Sequence, residues 1–278
     1  MRLVWQLAAV ALIAFLGGQA LNAADGTPWL VLVIGLATAV LAVIAYRWVV
    51  AKTERRPVTE LGRPGAVGQT SLGTLLGVVM FGFVIANIAF LGHYTVDGLG
   101  SPGGAVGLLG FMAAAAVTEE LLFRGVLLRI VEGRFGSGIA LASVSLLFGL
   151  IHLVNPNATL WGAVAIAIEA GGMLGAAYIA TRNLWLPIGL HFGWNTAASA
   201  LFSTEVSGNG TPQGLLDAAT SGPVAVSGGA FGPEGSLYAV GFGALMTVVF
   251  LWIAKRRGNL QPIRRRADRT AAAATLPR

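Results

Sequence analysis

Eight apolar runs, each near the length needed to cross a lipid bilayer, follow one another along this chain with short connections between them. A helix needs roughly 20 such residues to span the hydrocarbon layer. The runs fall at about 3–21, 28–50, 70–92, 105–132, 138–154, 159–180, 186–202 and 236–254. They leave no stretch large enough for a soluble domain. The expected fold class is therefore all-α: one polytopic integral membrane domain over residues 1–278 with about eight transmembrane helices. The chain is 55% hydrophobic and only 11% charged, whereas soluble domains carry about 25% charged residues.

The net charge of +6 could suggest a nucleic-acid partner, but the cations follow topology instead. Connections after the second, fourth, sixth and eighth runs hold nearly all of them: Arg47, Lys52, Arg55, Arg56 and Arg63, then Arg134, then Arg182, then Lys255 to Arg278. The intervening connections hold Asp25, Asp97, Glu205, Asp217 and Glu234, with no Lys or Arg. By the positive-inside rule this is a multi-pass cell-membrane protein with both termini cytoplasmic. The alternation also checks the count of eight, since one missed span would put basic and non-basic loops on the same side. The tail, residues 255–278, reads as a basic cytoplasmic anchor to anionic lipid, not as a nucleic-acid site. The first run, with Arg2 before it and small residues from Ala20 to Ala24, also fits a cleaved signal peptide. Its thin basic start favours a retained span. Residues 55–69 read as a cytoplasmic loop or short interfacial helix, and the Gly/Ser/Thr/Pro-rich 203–235 connection as irregular and mobile on the outer face. There are no cysteines, which excludes disulfides, a thiolate nucleophile and Cys-ligated zinc.

Ionisable side chains at membrane depth are costly, so they mark candidate sites. The fourth run carries TEELLFRG at 118–125. Glu120 and Arg124 stand one helical turn apart and are expected to pair, which lowers the cost of burying both. Glu119 lies about 100° around the helix and is left free for proton exchange. The fifth run places Phe148 and His152 at i, i+4, with Asn155 beyond; the seventh places His191 and Asn195 at i, i+4, with Pro187 in its first turn. Three helices can thus bring a carboxylate, two imidazoles and a carboxamide to one cavity, a set suited to activating water. His93 reads as interfacial. Glu169 is open: it lines the cavity, bonds a neighbouring helix or tunes a partner's charge. Gly171, Gly172 and Gly175 beside it read as a close-packing face. By helix rise, Glu119 and His152 lie about 20 Å from the cytoplasmic ends and His191 only about 8 to 10 Å, so α-helical tilt or a sunken seventh helix must close the gap.

EExxxR at 119–124, FxxxH at 148–152 and HxxxN at 191–195, in this order on separate helices, resemble the CPBP (Abi) family of intramembrane proteases, the CaaX prenyl protease and bacteriocin-processing family. The resemblance covers about residues 100–200, the expected protease core of helices four to seven, including the tract TRNLWLPIGLHFGWN. It implies a glutamic-type endopeptidase in which Glu119 and His152 activate water, His191 and Asn195 stabilise the oxyanion, and Glu120, Arg124 and Phe148 support the site. It also implies a cavity open toward the cytoplasm and a membrane-associated peptide or protein substrate. The alanine- and arginine-rich, cysteine-free composition suits a bacterial plasma membrane, where a prenylated substrate is not expected.

Glu119, His152 and His191 also form a two-histidine, one-carboxylate set of the kind that holds catalytic zinc. The absence of HExxH, and of a further free base, favours the reading with no metal and no other cofactor. Two other classes fit parts of the pattern: a proton-coupled transporter using Glu119, Glu169 and the histidines as a relay, and a non-enzymatic scaffold or immunity protein.

Overall fold

With no water inside a bilayer, each crossing segment must satisfy its own peptide groups, and helices do so. The computed structural model describes residues 1–211 and 213–263; the RRR tract and the rest of the basic tail lie outside the described residues. Helices form at all eight apolar runs: α1 (Arg2–Ala23), α2 (Pro28–Glu54), α3 (Ala66–Phe90), α4 (Pro102–Phe135), α5 (Ser137–Val154), α6 (Leu160–Thr181), α7 (Trp185–Thr196, continued by Ala197–Leu201) and α8 (Leu237–Arg256). Among the described residues seven are long and apolar enough to cross a membrane. The exception is α7, which is shorter and buried along most of its length. The chain is an all-α polytopic membrane protein.

Local chemistry sets the ends of these helices. Pro28 and Pro102 occupy first-turn positions, where a missing N–H costs nothing. Ser101, Thr159 and Ser236 accept hydrogen bonds from the first turns of α4, α6 and α8. Arg55 and Arg182 close α2 and α6 in left-handed conformations, at φ 51° and 55°.

One end of the bundle is a network of ion pairs. Glu54 accepts from Gln6 at 2.9 Å and from Arg129 at 2.7 and 2.9 Å, joining the start of α1 to the ends of α2 and α4. Arg182 bonds Glu132 and the Asn259 carbonyl, joining the ends of α4, α6 and α8. Glu60, in a 3₁₀ turn of the α2–α3 connection, accepts from Tyr46 at 2.7 Å and from Arg56 at 2.8 Å. Burial pushes its carboxyl upward, but these bonds outweigh burial and hold it below its usual value. The basic connections thus share one end, as their alternation in the sequence requires.

The opposite end is less irregular than its composition suggests. Strand β1 (Tyr94–Leu99) pairs antiparallel with β2 (Leu216–Thr220), so part of the 203–235 connection is held by a ladder. Glu234 anchors another part from the inside. Its carboxylate is 1% exposed and accepts from Trp194 at 2.9 Å and from the Ser207 amide and hydroxyl at 2.6 and 2.8 Å. Glycine-rich composition reported the absence of a long helix, since this connection holds only the short helix Val224–Ser227 and two 3₁₀ turns, and not the absence of partners.

Glycines let the central helices meet at backbone distance. A Cβ at Gly73 or Gly77 of α3 would stand 2.4 Å from the Leu186 carbonyl oxygen or 2.3 Å from that of Leu190, both on α7. Reciprocally, a Cβ at Gly189 or Gly193 of α7 would stand 2.2 Å from the carbonyl oxygen of Thr70 or Thr74. Two GxxxG faces are therefore pressed together, the close approach that drives association where no hydrophobic force acts between helices. Gly35 of α2 and Gly110 of α4 make a similar contact. Between them, α3 and α4 hold α7 inside the protein.

Candidate active site

The two adjacent glutamates of α4 point to different environments. Just beyond them the helix widens into a π segment, Leu121–Leu128, a departure from regular winding often found at functional sites. Glu120 is fully buried and its Oε1 receives the Arg124 guanidinium at 2.7 Å, the expected one-turn pair. Arg124 also donates to the carbonyls of Ala170 and Gly171 on α6, at 2.9 and 3.3 Å, and lies 4.6 Å above the Phe148 ring of α5. Glu120 has a second partner that the spacing does not reveal. Its Oε1 also meets Nδ1 of His191 at 2.9 Å. Because a carboxylate only accepts, Nδ1 carries the hydrogen, and the ring is oriented with Nε2 toward Glu119. One buried pair thereby ties α4 to α5, α6 and α7.

The second histidine is fixed by backbone. The helical part of α5 ends at Ile151, and in the tight turn that follows His152 Nδ1 donates to the Phe148 carbonyl at 2.6 Å. A carbonyl only accepts, so in the neutral ring Nε2 is left as a bare acceptor. The Phe148 ring packs 4.8 Å from His152 and 6.2 Å from His191, centroid to centroid, so it spaces the two imidazoles.

Glu119 does not pair with Arg124. Its Oε2 lies 3.9 Å from His191 Nε2 and has no hydrogen-bond partner among the described residues. Glu119, His152, His191 and Asn195 all line one cavity of about 290 Å³, although they come from three helices. Asn155, expected one turn beyond His152, instead donates to the Ser207 carbonyl at 2.7 Å at the rim. Glu169 also lines the cavity. It is fully buried on a π segment of α6, Ala167–Gly172, and neither carboxylate oxygen has a hydrogen-bond partner among the described residues. Of the three roles open to it, hydrogen bonding to a neighbouring helix is excluded. Gly171 and Gly175 do form a packing face, against Ser145 and Leu141 of α5.

Val154, Asn155, Val206, Ser207, Asn209 and Glu234 complete the wall, and all belong to the end that carries no Lys or Arg in its connections. The cavity therefore borders the end opposite the basic one. The reason is depth: about 20 Å from the basic end lies past the middle of a ~30 Å layer. Ser207 and Glu234 come from a connection read as a mobile loop. No sequence signal separated Glu234 from the four other acids of these connections; only its bond to Trp194, one residue before Asn195, reveals its place. Burial pushes the Glu234 carboxyl above its usual value against the pull of its three hydrogen bonds.

At the side of the cavity, Phe111 of α4 and Ile151 and Val154 of α5 are 40%, 50% and 82% exposed, so the wall there faces lipid. A second cavity, of about 560 Å³, shares Phe111, Met112 and Asn209 with the first and continues past Asp25, Ser101 and Gln213. As for metal, no group of three or more His, Asp or Glu side chains among the described residues is gathered as a ligand set. Glu119, His152 and His191 share a wall without forming such a set.

No curated protein and no solved structure matches the chain. Residues 101–197, about a third of its length, match the family model described as Type II CAAX prenyl endopeptidase Rce1-like. That stretch runs from the cap of α4 to the middle of α7 and contains Glu119, Glu120, Arg124, Phe148, His152, Glu169, His191 and Asn195. Over this segment the chain is similar to CAAX-type endopeptidases, which supports the CPBP resemblance carried by its motifs.

Proposed function

We propose that this protein hydrolyses a peptide bond in a membrane-associated protein or peptide by a glutamate-based reaction that uses no metal. One observation carries the reading: Glu119, His152, His191 and Asn195 meet on a single cavity wall, with both imidazole Nδ1 atoms already engaged. The Nε2 atoms are the ones left for chemistry. Water between Glu119 and His152 Nε2 gives a proton to the Glu119 carboxylate as its oxygen attacks the peptide carbonyl carbon. The oxyanion that forms is met by the Asn195 carboxamide and by His191 in its doubly protonated form, whose Nδ1–H stays on Glu120. Collapse breaks the C–N bond, and Glu119 returns its proton to the leaving nitrogen. Arg124 balances Glu120, so the charge that orients His191 is itself compensated. Substrate reaches the cavity sideways past Phe111, Ile151 and Val154, and its remaining length lies along the adjoining second cavity. By the positive-inside rule the basic end is cytoplasmic, so the reaction takes place in the outer half of the membrane.

Comparative membrane peptidomics tests this directly, with cells carrying the natural protein set against cells carrying Glu119→Gln. A new peptide terminus that depends on Glu119 is expected and names the substrate. If no terminus changes and purified protein in liposomes carries proton-coupled flux, the protein is a transporter and the hydrolytic reading is wrong.

A further inference from the structure

Glu169 is fully buried, belongs to none of the three sequence motifs, and offers two carboxylate oxygens with no protein partner among the described residues. A carboxyl in that position is costly unless something pairs with it, so its retention calls for an explanation. The nearby guanidinium attracts it through space but makes no hydrogen bond to it: Arg124 donates to Glu120 and to the Ala170 and Gly171 carbonyls, and it is not part of the cavity wall. The wall that Glu169 shares with Glu119 holds a further acid, Glu234, and no Lys or Arg. Glu234 already accepts from three donors, the Trp194 indole and the Ser207 amide and hydroxyl. The connections at this end of the protein are likewise free of Lys and Arg and carry Asp25, Asp97, Glu205 and Asp217, of which Asp25 lines the adjoining second cavity. On the same wall His191 faces Glu119 and Glu120, so Glu169 is the acid left without a partner, and a low-dielectric cavity with an excess of one sign of charge focuses its field toward ligands of the opposite sign. Trp194 and Phe111 on the same wall offer aromatic surface that also suits a cation.

We propose that Glu169 anchors a Lys or Arg side chain of the substrate, so that the peptides this protein cuts carry a basic residue close to the scissile bond. The assignment rests on the hydrolytic reading above and deepens it by naming the substrate class. Glu169 acts in specificity here; bond breaking stays with Glu119.

The test uses full-length protein in lipid nanodiscs with Glu119→Gln to stop turnover. Fluorescent peptides, acetylated and amidated at their ends, carry an apolar segment and a single Lys moved one position at a time, each matched by a norleucine version. At one register the Lys peptide is expected to bind about tenfold tighter or more than its norleucine partner. Adding Glu169→Gln should bring the two within about twofold. In case that variant fails to fold, the Lys peptide should also protect Glu169 of the otherwise natural protein from carbodiimide labelling, read by mass spectrometry, where norleucine does not. Equal binding at every register, a preference that survives Glu169→Gln, or equal labelling with both peptides overturns the proposal. Cleavage by the natural protein is scored separately. Lys preference without any cleavage would sink the hydrolytic reading and leave the cation site, and cleavage without preference would do the reverse.

Discussion

Gly193 lies two residues from His191 and two from Asn195, on the face of α7 pressed against α3, so adding one methyl group there is a sharp test of how the site is held. An alanine Cβ would stand 2.2 Å from the Thr74 carbonyl oxygen and 2.7 Å from the Thr74 Cα. Ordinary heavy-atom contacts lie near 3.5 Å, so α7 must move away from α3 by about 1 Å. Overpacking of this kind costs about 1 to 3 kcal/mol, and the better helix propensity of alanine recovers up to about 1. The net loss leaves most of the protein folded, because α7 is also held by Glu120 through His191 and by Glu234 through Trp194. Turnover should suffer far more, since a misplacement of about 1 Å in a catalytic constellation costs on the order of 100-fold. The assay compares kcat for Gly193→Ala and Gly82→Ala in liposomes, on the substrate identified by its Glu119-dependent terminus, alongside melting temperature. Gly82 is on α3 and a Cβ there would meet nothing within 4 Å, so its variant should behave as the natural protein. Equal kcat for both variants would refute the claim that the paired glycine faces position His191 and Asn195.

Further perturbations separate the roles assigned within the site. Glu119→Gln should keep the melting temperature and lose about 100-fold or more in kcat, the usual contribution of a general base; retained turnover in that variant would remove Glu119 from the mechanism. Arg124→Ala should destabilise by about 3 to 5 kcal/mol, because Glu120 would remain buried without its charge partner, and a thermal shift no larger than that of a surface Arg→Ala variant would contradict this. Cleavage should persist after exhaustive chelation, whereas stoichiometric zinc by atomic absorption together with chelator-sensitive turnover would replace the metal-free reaction. At the basic end, Glu60 is held below its usual carboxylate value, so its ionised form stabilises the fold above pH about 4.5 and that contribution is lost as pH falls through its lowered value. Melting temperature followed from pH 6 downward should therefore fall less steeply in Glu60→Gln, and identical slopes would refute the linkage.

Much of the architecture is written in the sequence because lipid makes it expensive to write anything else. The length of each apolar run sets a helix, and the placement of Lys and Arg sets which ends lie together, as the bonds from Arg129 to Glu54 and from Arg182 to Glu132 bear out. The motif spacing equally carried Glu120 to Arg124, since a single helical turn fixes both ends of that pair. Contacts between helices are another matter. The bond from Glu120 to His191 joins residues 71 apart, and no local period encodes it. The GxxxG faces of α3 and α7 are readable as packing surfaces, but only coordinates tell which two meet.

The side on which the cavity lies shows how two sound sequence arguments can collide. The family resemblance implied a cytoplasmic opening, while the charge pattern and helix rise put Glu119 beyond the midplane, nearer the end without cations. In the structure Asn155, Ser207, Asn209 and Glu234 close the cavity from connections that carry no Lys or Arg. Those residues are also where the chain is poorest in periodic signal, so this side of the cavity is the part least legible in the sequence. The motif residues are kept in register by helices, whereas the loop side of the cavity is polar and anchored by Glu234. A selection for basic substrates would accordingly be carried by Glu169 and the rim, while hydrolysis stays with the motif residues, and variants of the two groups should separate binding preference from kcat.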